Sequence, residues 1–508
     1  MENLLKRQPV VMTRYVIHEK EDVAINGECS LPDYCPDIAV VLKCMITPYV
    51  QNRQWSGQKL LVDGTVHIRV LYLDEERRCP REVEFSIPLS CVLHRHNGTD
   101  ATPVALTLTP KYIHCRAIGP RRLEARGVIE VLAQAEEAFS TDFPLLAADQ
   151  GVYAQVREAA VSHPIGMVEK IITINETVDF PEALPPAEIL LGGECRAVIQ
   201  ECKVLSGKAI VKGQVYVHQL YAVGATEGDC RCLDSILPFS QIVDVEGLED
   251  GMPCRAIVQI LADTQRCMSG PDGDNTALDI MVKLFIQLQA YRYENVSVLT
   301  DVYHTAYPVT PMSEEVSLCA QGGMRWEKSM LPMKIALSNS GLTHICDVWI
   351  EQKENETVCH NGVLAINGRW FVCVLARDVD GQVVYSEYPE EYCLEFVVDG
   401  NKGAAEITVT ELHYRVVEDQ LELHVGVCVA LTQWQEESCS VIRDLQVHTE
   451  QPYPSGDANL MLYYAQSGEK VWDIASCCHT SPDSICAANA LECDSIPHPS
   501  VLLVPIER

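Results

Sequence analysis

The sequence predicts a mainly β protein: tandem all-β, sandwich-like units followed by a small α+β module in the order strand–helix–helix–strand. Three observations carry this expectation. Period-two alternation of apolar and polar residues, broken by turn dipeptides, dominates the chain, and runs of helical period are scarce before residue 460. One strand pattern recurs three times behind a glycine. Residues 461–506 then change character.

The recurring strand begins at Gly64, Gly213 and Gly368. The second, fourth and eighth positions after each glycine are apolar or aromatic: Val66, Ile68 and Tyr72; Val215, Val217 and Tyr221; Trp370, Val372 and Ala376. Such alternation turns one strand face inward. A second alternating strand follows each copy at a comparable distance. It runs through Leu123, Ala125, Gly127, Ile129 and Val131 in the first, Leu278, Ile280, Val282, Leu284 and Ile286 in the second, and Leu421, Leu423, Val425, Val427 and Val429 in the third. The shared order argues for three copies of one unit.

An upstream lead-in occurs twice, as Pro32-Asp33-Tyr34-Cys35-Pro36-Asp37-Ile38 and as Pro181 to Ile189 with Pro185. Prolines four residues apart fix an extended path into the next strand. The stretch 317–342 has no equivalent, so the third copy is degenerate at its start. The dipeptides Asp63-Gly64, Asn97-Gly98, Asn361-Gly362, Asn367-Gly368, Asp380-Gly381 and Asp399-Gly400 are read as hairpin turns in which glycine supplies positive φ. The resulting partition is 1–165, 166–312 and 313–450 for the β units, 451–460 for a Pro/Gly-containing linker, and 461–508 for the last module.

In that module Met461 to Ala465 reads as a strand, and Val471, Ile474, Ala475 and Cys478 line one helical face. Ser481 is a good N-cap, with Pro482 at the first helical position and Asp483 beside it. Val501 to Pro505 closes the module as a strand. Trp472 lies one residue off the apolar stripe. It either covers a tiny core or offers an exposed aromatic anchor to a partner.

Composition bounds the function. A chain of 508 residues fits about three domains, or four if one is small. Its 47% apolar and 22% charged residues are those of a packed protein. A net charge of −32 opposes nucleic acid and anionic lipid surfaces. No segment has the roughly 20 apolar residues of a membrane helix. The N-terminus lacks a secretory signal pattern, which places the expected compartment in the cytoplasm. The 23 cysteines are then expected as buried thiols, since no Cys-x2-Cys pair exists to hold a metal. His94 and His96 lack a third ligand and read as a polar hairpin end, and Asp272 to Asn275 reads as a solvated loop rather than a calcium site. No phosphate-binding loop, nucleophile elbow or ordered Cys/His pair is present, so no catalytic residue, metal or cofactor is assigned. Exposed strand edges leave self-association open.

Tyr464 to Ala475, with Thr480-Ser481, Ile485, Asn489, Leu491, Ile496 and Val504-Pro505-Ile506, resembles a LysM domain. The resemblance implies a shallow groove for N-acetylglucosamine polymers made by Gly468, Glu469, Lys470, Asn489, Ala490 and Leu491. Glu469-Lys470 replaces the family's usual Asp-Thr, and Pro499-Ser500 stands where a glycine is usual. Upstream, the Pro-x3-Pro-Asp-Ile lead-in and the Gly-x-Val-x-Ile-x-Val-Leu-Tyr strand are similar to the SPOCS domain of sporulating Firmicutes. SPOCS repeats followed by one LysM module resemble the SipL-like spore coat assembly proteins. That resemblance implies a non-enzymatic scaffold in the mother-cell cytoplasm at the forespore surface, whose LysM module contacts a coat morphogenetic ATPase. The alternative is a protein that binds cortex or cell-wall peptidoglycan.

Overall fold

In a computed structural model the described residues are 5–95, 102–147, 151–224, 229–270, 273–337, 341–417, 420–454, 459–492 and 494–506. The first unit comprises β1 (Leu5–Ser30), β2 (Val40–Ser56), β3 (Lys59–Leu73), β4 (Pro80–His94), β5 (Ala105–Gly119) and β6 (Arg122–Leu146). The second comprises β7 (Val152–Asp179), β8 (Ile189–Leu205), β9 (Lys208–Val223), β10 (Asp229–Asp244), β11 (Cys254–Ser269) and β12 (Asn275–His304). The third comprises β13 (Val309–Ala336), β14 (Leu342–His360), β15 (Val363–Asp378), β16 (Val383–Val397), β17 (Lys402–Val417) and β18 (Gln420–Val447). The chain is thus mostly β. The positions 165/166 and 312/313 lie inside β7 and β13, whereas the six-strand pattern restarts at β7 and β13 themselves.

Each unit is built the same way. Its second, third and fourth strands form an antiparallel meander, and its first, sixth and fifth strands form a second antiparallel sheet in that order. The two sheets share one apolar core. The recurrent glycine strand is the centre of each meander, β3, β9 or β15, and the downstream alternating strand is the centre of each outer sheet, β6, β12 or β18. Alternation follows from that position. Leu278, Ile280, Val282, Leu284 and Ile286 are almost fully buried, each contributing about 1.5–3 kcal/mol.

The repeated glycines do a different job from the one expected. Asp63-Gly64 and Asn367-Gly368 lie inside β3 and β15, and neither glycine has positive φ. A Cβ on Gly64 would sit 2.5 Å from Tyr49 O, and one on Gly213 would overlap Val198 O and the Phe239 ring. The glycine therefore permits close approach of backbone and ring. The two-residue turns fall elsewhere: Gly57, Gly207 and Asn361-Gly362 join the second and third strands of the three units, with φ of 59, 76, and 50 and 76. Gly381 is also a positive-φ turn residue, whereas Gly400 lies in the β16–β17 loop without positive φ. Asn97-Gly98, His96 and Asp272 lie outside the described residues.

The lead-ins are held by the recurrent strand. Tyr72 OH donates to Pro36 O and Tyr221 OH to Pro185 O, both at 3.2 Å. The third copy has Ala376 at that position and lacks the proline lead-in as well, so the tyrosine and the segment it holds are missing together.

The units close into a triangle. Leu71, Leu220 and Leu375, all seven residues after the recurrent glycine, meet in one cluster with Cys79, Cys230 and Cys346. A second cluster joins the far ends of the outer sheets through Val10, Phe143, Val161, Val298, Leu318 and Val441. Between unit body and shared end, β1, β7 and β13 each carry a register irregularity, at Val16, Ile165 and Gly322-Gly323. Extra residues of this kind bend a strand locally, here where the outer sheets leave their own core for the common one.

After β18 the order is β19 (Leu460–Ala465), α1 (Val471–Cys478), α2 (Pro482–Asn489) and β20 (Ser500–Pro505), with β19 and β20 antiparallel. Among the described residues no helix is long and apolar enough to cross a membrane, and the described cysteines are free thiols.

Candidate functional site

The terminal module packs a small core of Ala465, Val471, Ile474, Ala475, Ile485, Ile496, Leu502 and Val504, which Tyr303 of β12 joins. Ser481 caps α2, its hydroxyl accepting from Ser484 N. Gly468 adopts φ +85, a conformation that favours glycine. Its amide donates to Ile496 O at 2.7 Å, and Ile496 N donates to Glu469 O at 2.8 Å. The turn 468–470 and the loop before β20 are thereby zipped together.

Several of the predicted groove residues are occupied by the module itself. The Glu469 carboxylate accepts from Tyr463 OH at 2.6 Å and from Gln466 N at 2.8 Å, bonds that hold its pKa below the usual carboxylate range. Asn489 Nδ2 donates to Leu503 O and its Oδ1 accepts from Leu503 N, both at 2.7 Å, so this amide ties α2 to β20. Ala490 is the left-handed C-cap of α2 and Leu491 packs against the core. Lys470, the N-cap residue of α1, is exposed.

Trp472 is half-buried and used internally. Its Nε1 donates to Asp301 Oδ2 at 2.7 Å, and its ring packs edge-on against Tyr303 at 5.0 Å. Tyr303 stacks on Tyr153 and donates to Thr480 O at 2.7 Å. Tyr453 stacks on His479 from the connecting segment. The module is therefore docked on the β7–β12 end of the second unit, and the aromatic anchor reaches a neighbouring unit of the same chain.

Sequence reading overlooked the opposite face. Leu460, Leu462 and Tyr464 alternate outward along β19, and Tyr464 pairs with Val501 and Leu462 with Leu503. Their exposures are 50%, 59%, 73%, 51% and 39% in the order Leu460, Leu462, Tyr464, Val501, Leu503. Direct cross-strand neighbours share a face, so the five side chains make one apolar patch. Alternation of two apolar faces had signalled only that a strand was present.

A second place of chemical interest is the seam between the second and third units, where a cavity of about 340 Å³ opens. His218 on β9, Cys232 on β10 and Asp347 on β14 bring an imidazole nitrogen, a thiol sulfur and a carboxylate oxygen within 4.8 Å of one another. His218 Nδ1 lies 2.7 Å from Asp234, and its Nε2 lies 3.1 Å from both Asp347 oxygens. Burial opposes charge on the imidazole, but Asp347 and Asp234 outweigh it and hold the pKa well above the usual value. Burial, reinforced by Asp347, pushes the Cys232 thiol up. Nearby, Arg196 clasps Glu194 and reaches Val409 O and Ile350 O across the seam.

Comparison with known families finds one described as SipL, SPOCS domain, which matches residues 37–115 and 186–263. These segments take the same part of the first two units: from the lead-in through the meander and into the fifth strand. In those segments the chain is similar to the SPOCS domain of SipL. Comparisons with curated proteins and with solved structures find no match.

Proposed function

We propose that the chain is a non-enzymatic adaptor of spore coat assembly, with three SPOCS-like units as a platform and a LysM-like terminal module that grips a coat morphogenetic protein at the forespore surface. The SPOCS match supports a SipL-like, sporulation-related protein. The observation that carries the adaptor reading is the apolar patch of Leu460, Leu462, Tyr464, Val501 and Leu503. An exposed apolar ladder on a small module is costly in water unless a partner covers it, and tyrosine is enriched at protein contacts. Sugar recognition would instead call on Asn489 and Glu469, whose polar atoms already bond within the module.

The test is capture of the purified coat morphogenetic ATPase by the full chain, compared with the L462K/Y464K double variant. Loss of capture with an unchanged melting profile supports the reading; equal capture refutes it. Sedimentation with insoluble peptidoglycan or chitin decides the alternative, because a glycan-binding protein would pellet with the polymer and an adaptor would stay in the supernatant.

A further inference from the structure

The seam between the second and third units holds a donor set that the adaptor reading does not use. We propose that His218 Nε2, Cys232 Sγ and one Asp347 oxygen form a binding site for a divalent cation of the zinc class, which bridges the two units and keeps one coordination position toward the cavity. One nitrogen, one sulfur and one oxygen donor suit a borderline cation, and three protein ligands with an open position are a common zinc arrangement.

Three features separate this cluster from a chance grouping. First, the far ring nitrogen of His218 is already bonded to Asp234 at 2.7 Å. A carboxylate in that place fixes the ring and the tautomer that leaves Nε2 free to ligate. Second, the comparable seam between the third and first units holds Glu351, Cys373 and Glu387 together, but Lys43 Nζ sits 2.5 and 2.6 Å from the two carboxylates. There a lysine supplies the positive charge. At His218 the arginine that lines the cavity, Arg196, is engaged by Glu194, and the charge that faces Asp347 is carried by the imidazole ring itself, on a proton that a metal ion can replace. Third, the ligands come from β9, β10 and β14, so a bound ion joins two units. On binding, protons on His218 Nε2 and the Cys232 thiol leave to solvent, and both groups ligate in deprotonated form.

The experiment titrates chelator-treated full-length protein with Co²⁺ and with Zn²⁺. The expected result is one equivalent of Co²⁺ with a thiolate-to-cobalt charge-transfer band, displaced by Zn²⁺, and a higher melting temperature with metal. Cys232→Ser abolishes the band, and Asp347→Asn lowers affinity. Asp234→Asn, which leaves the three ligands intact, keeps the band and weakens affinity about 10–100-fold. Absence of the band from the parent protein overturns the proposal. So does a band that survives in Cys232→Ser, which would place the metal on another thiol. Because Asp234→Asn changes no ligand, its retained band also separates lost ligation from lost folding.

Discussion

Tyr303 provides a direct measure of how the terminal module is held. Its hydroxyl bonds to the carbonyl of fully buried Thr480 at 2.7 Å, and its ring lies between Tyr153 and Trp472. Tyr303→Phe leaves that carbonyl unpaired, at a cost of about 1–3 kcal/mol. Since 1.4 kcal/mol is a factor of ten, the undocked population rises roughly 5- to 150-fold. Tyr303→Ala also removes both ring contacts and leaves a void, about 3–5 kcal/mol in all, or roughly 10²- to 4 × 10³-fold. Tyr303 belongs to the same apolar cluster as Val471, Ile474, Ala475, Ile485 and Val504, but these five all come from the module and keep their contacts with one another. Native-state proteolysis of the segment between β18 and β19 reads the open population when closing is fast relative to cleavage. Cleavage should accelerate in the order parent, Phe variant, Ala variant, while the excised module remains folded. Equal cleavage of all three proteins, or a module that unfolds on release, would refute this account of docking.

Gly213→Ala should destabilise by about 1–3 kcal/mol or more in urea titration, because its Cβ meets the Val198 backbone carbonyl in the neighbouring strand as well as the Phe239 ring. Gly368→Ala meets the Tyr392 side chain instead, so Tyr392→Leu should recover part of its loss. Glu82, on β4 facing the second unit, has its carboxyl pushed up to about 8 by burial, with Glu84 adding to the effect. A raised carboxyl binds its proton more tightly when folded, so parent stability falls as pH rises from the unfolded value of 4.5 toward about 8. Glu82→Gln removes that slope, and its stability advantage should widen through this window in denaturant titrations at several pH values. Leu220→Ala, in the cluster shared by all three units, should cost about 2–5 kcal/mol, whereas Ile236→Ala, 46% exposed, should cost under about 0.5.

The strands were legible because a sheet buried on one face imposes period two on its sequence, and Leu278 to Ile286 carries that period without a break. The recurrence of the unit was legible for the same reason. The work of Gly64 and Gly368 was not, since Asp-Gly and Asn-Gly read as turns, while what demands glycine at these positions is an atom from a neighbouring strand or ring. Trp472 was ambiguous for a related reason: its partners, Asp301 and Tyr303, lie in a different unit. The seam donors show the limit most clearly. His218 stands five residues after the recurrent glycine, where the other copies have Arg69 and Cys373. Nothing local relates it to Asp347, and only closure of the triangle brings them together.

Among the described residues Tyr153 and Tyr303 furnish an aromatic seat on the second unit of the triangular body, and the C-terminal module occupies it. The near-equivalence of the three blocks is thereby broken, and the second unit is singled out. Each chain therefore carries its terminal module in one fixed place, on the second unit, with the β19–β20 apolar face turned away from the body.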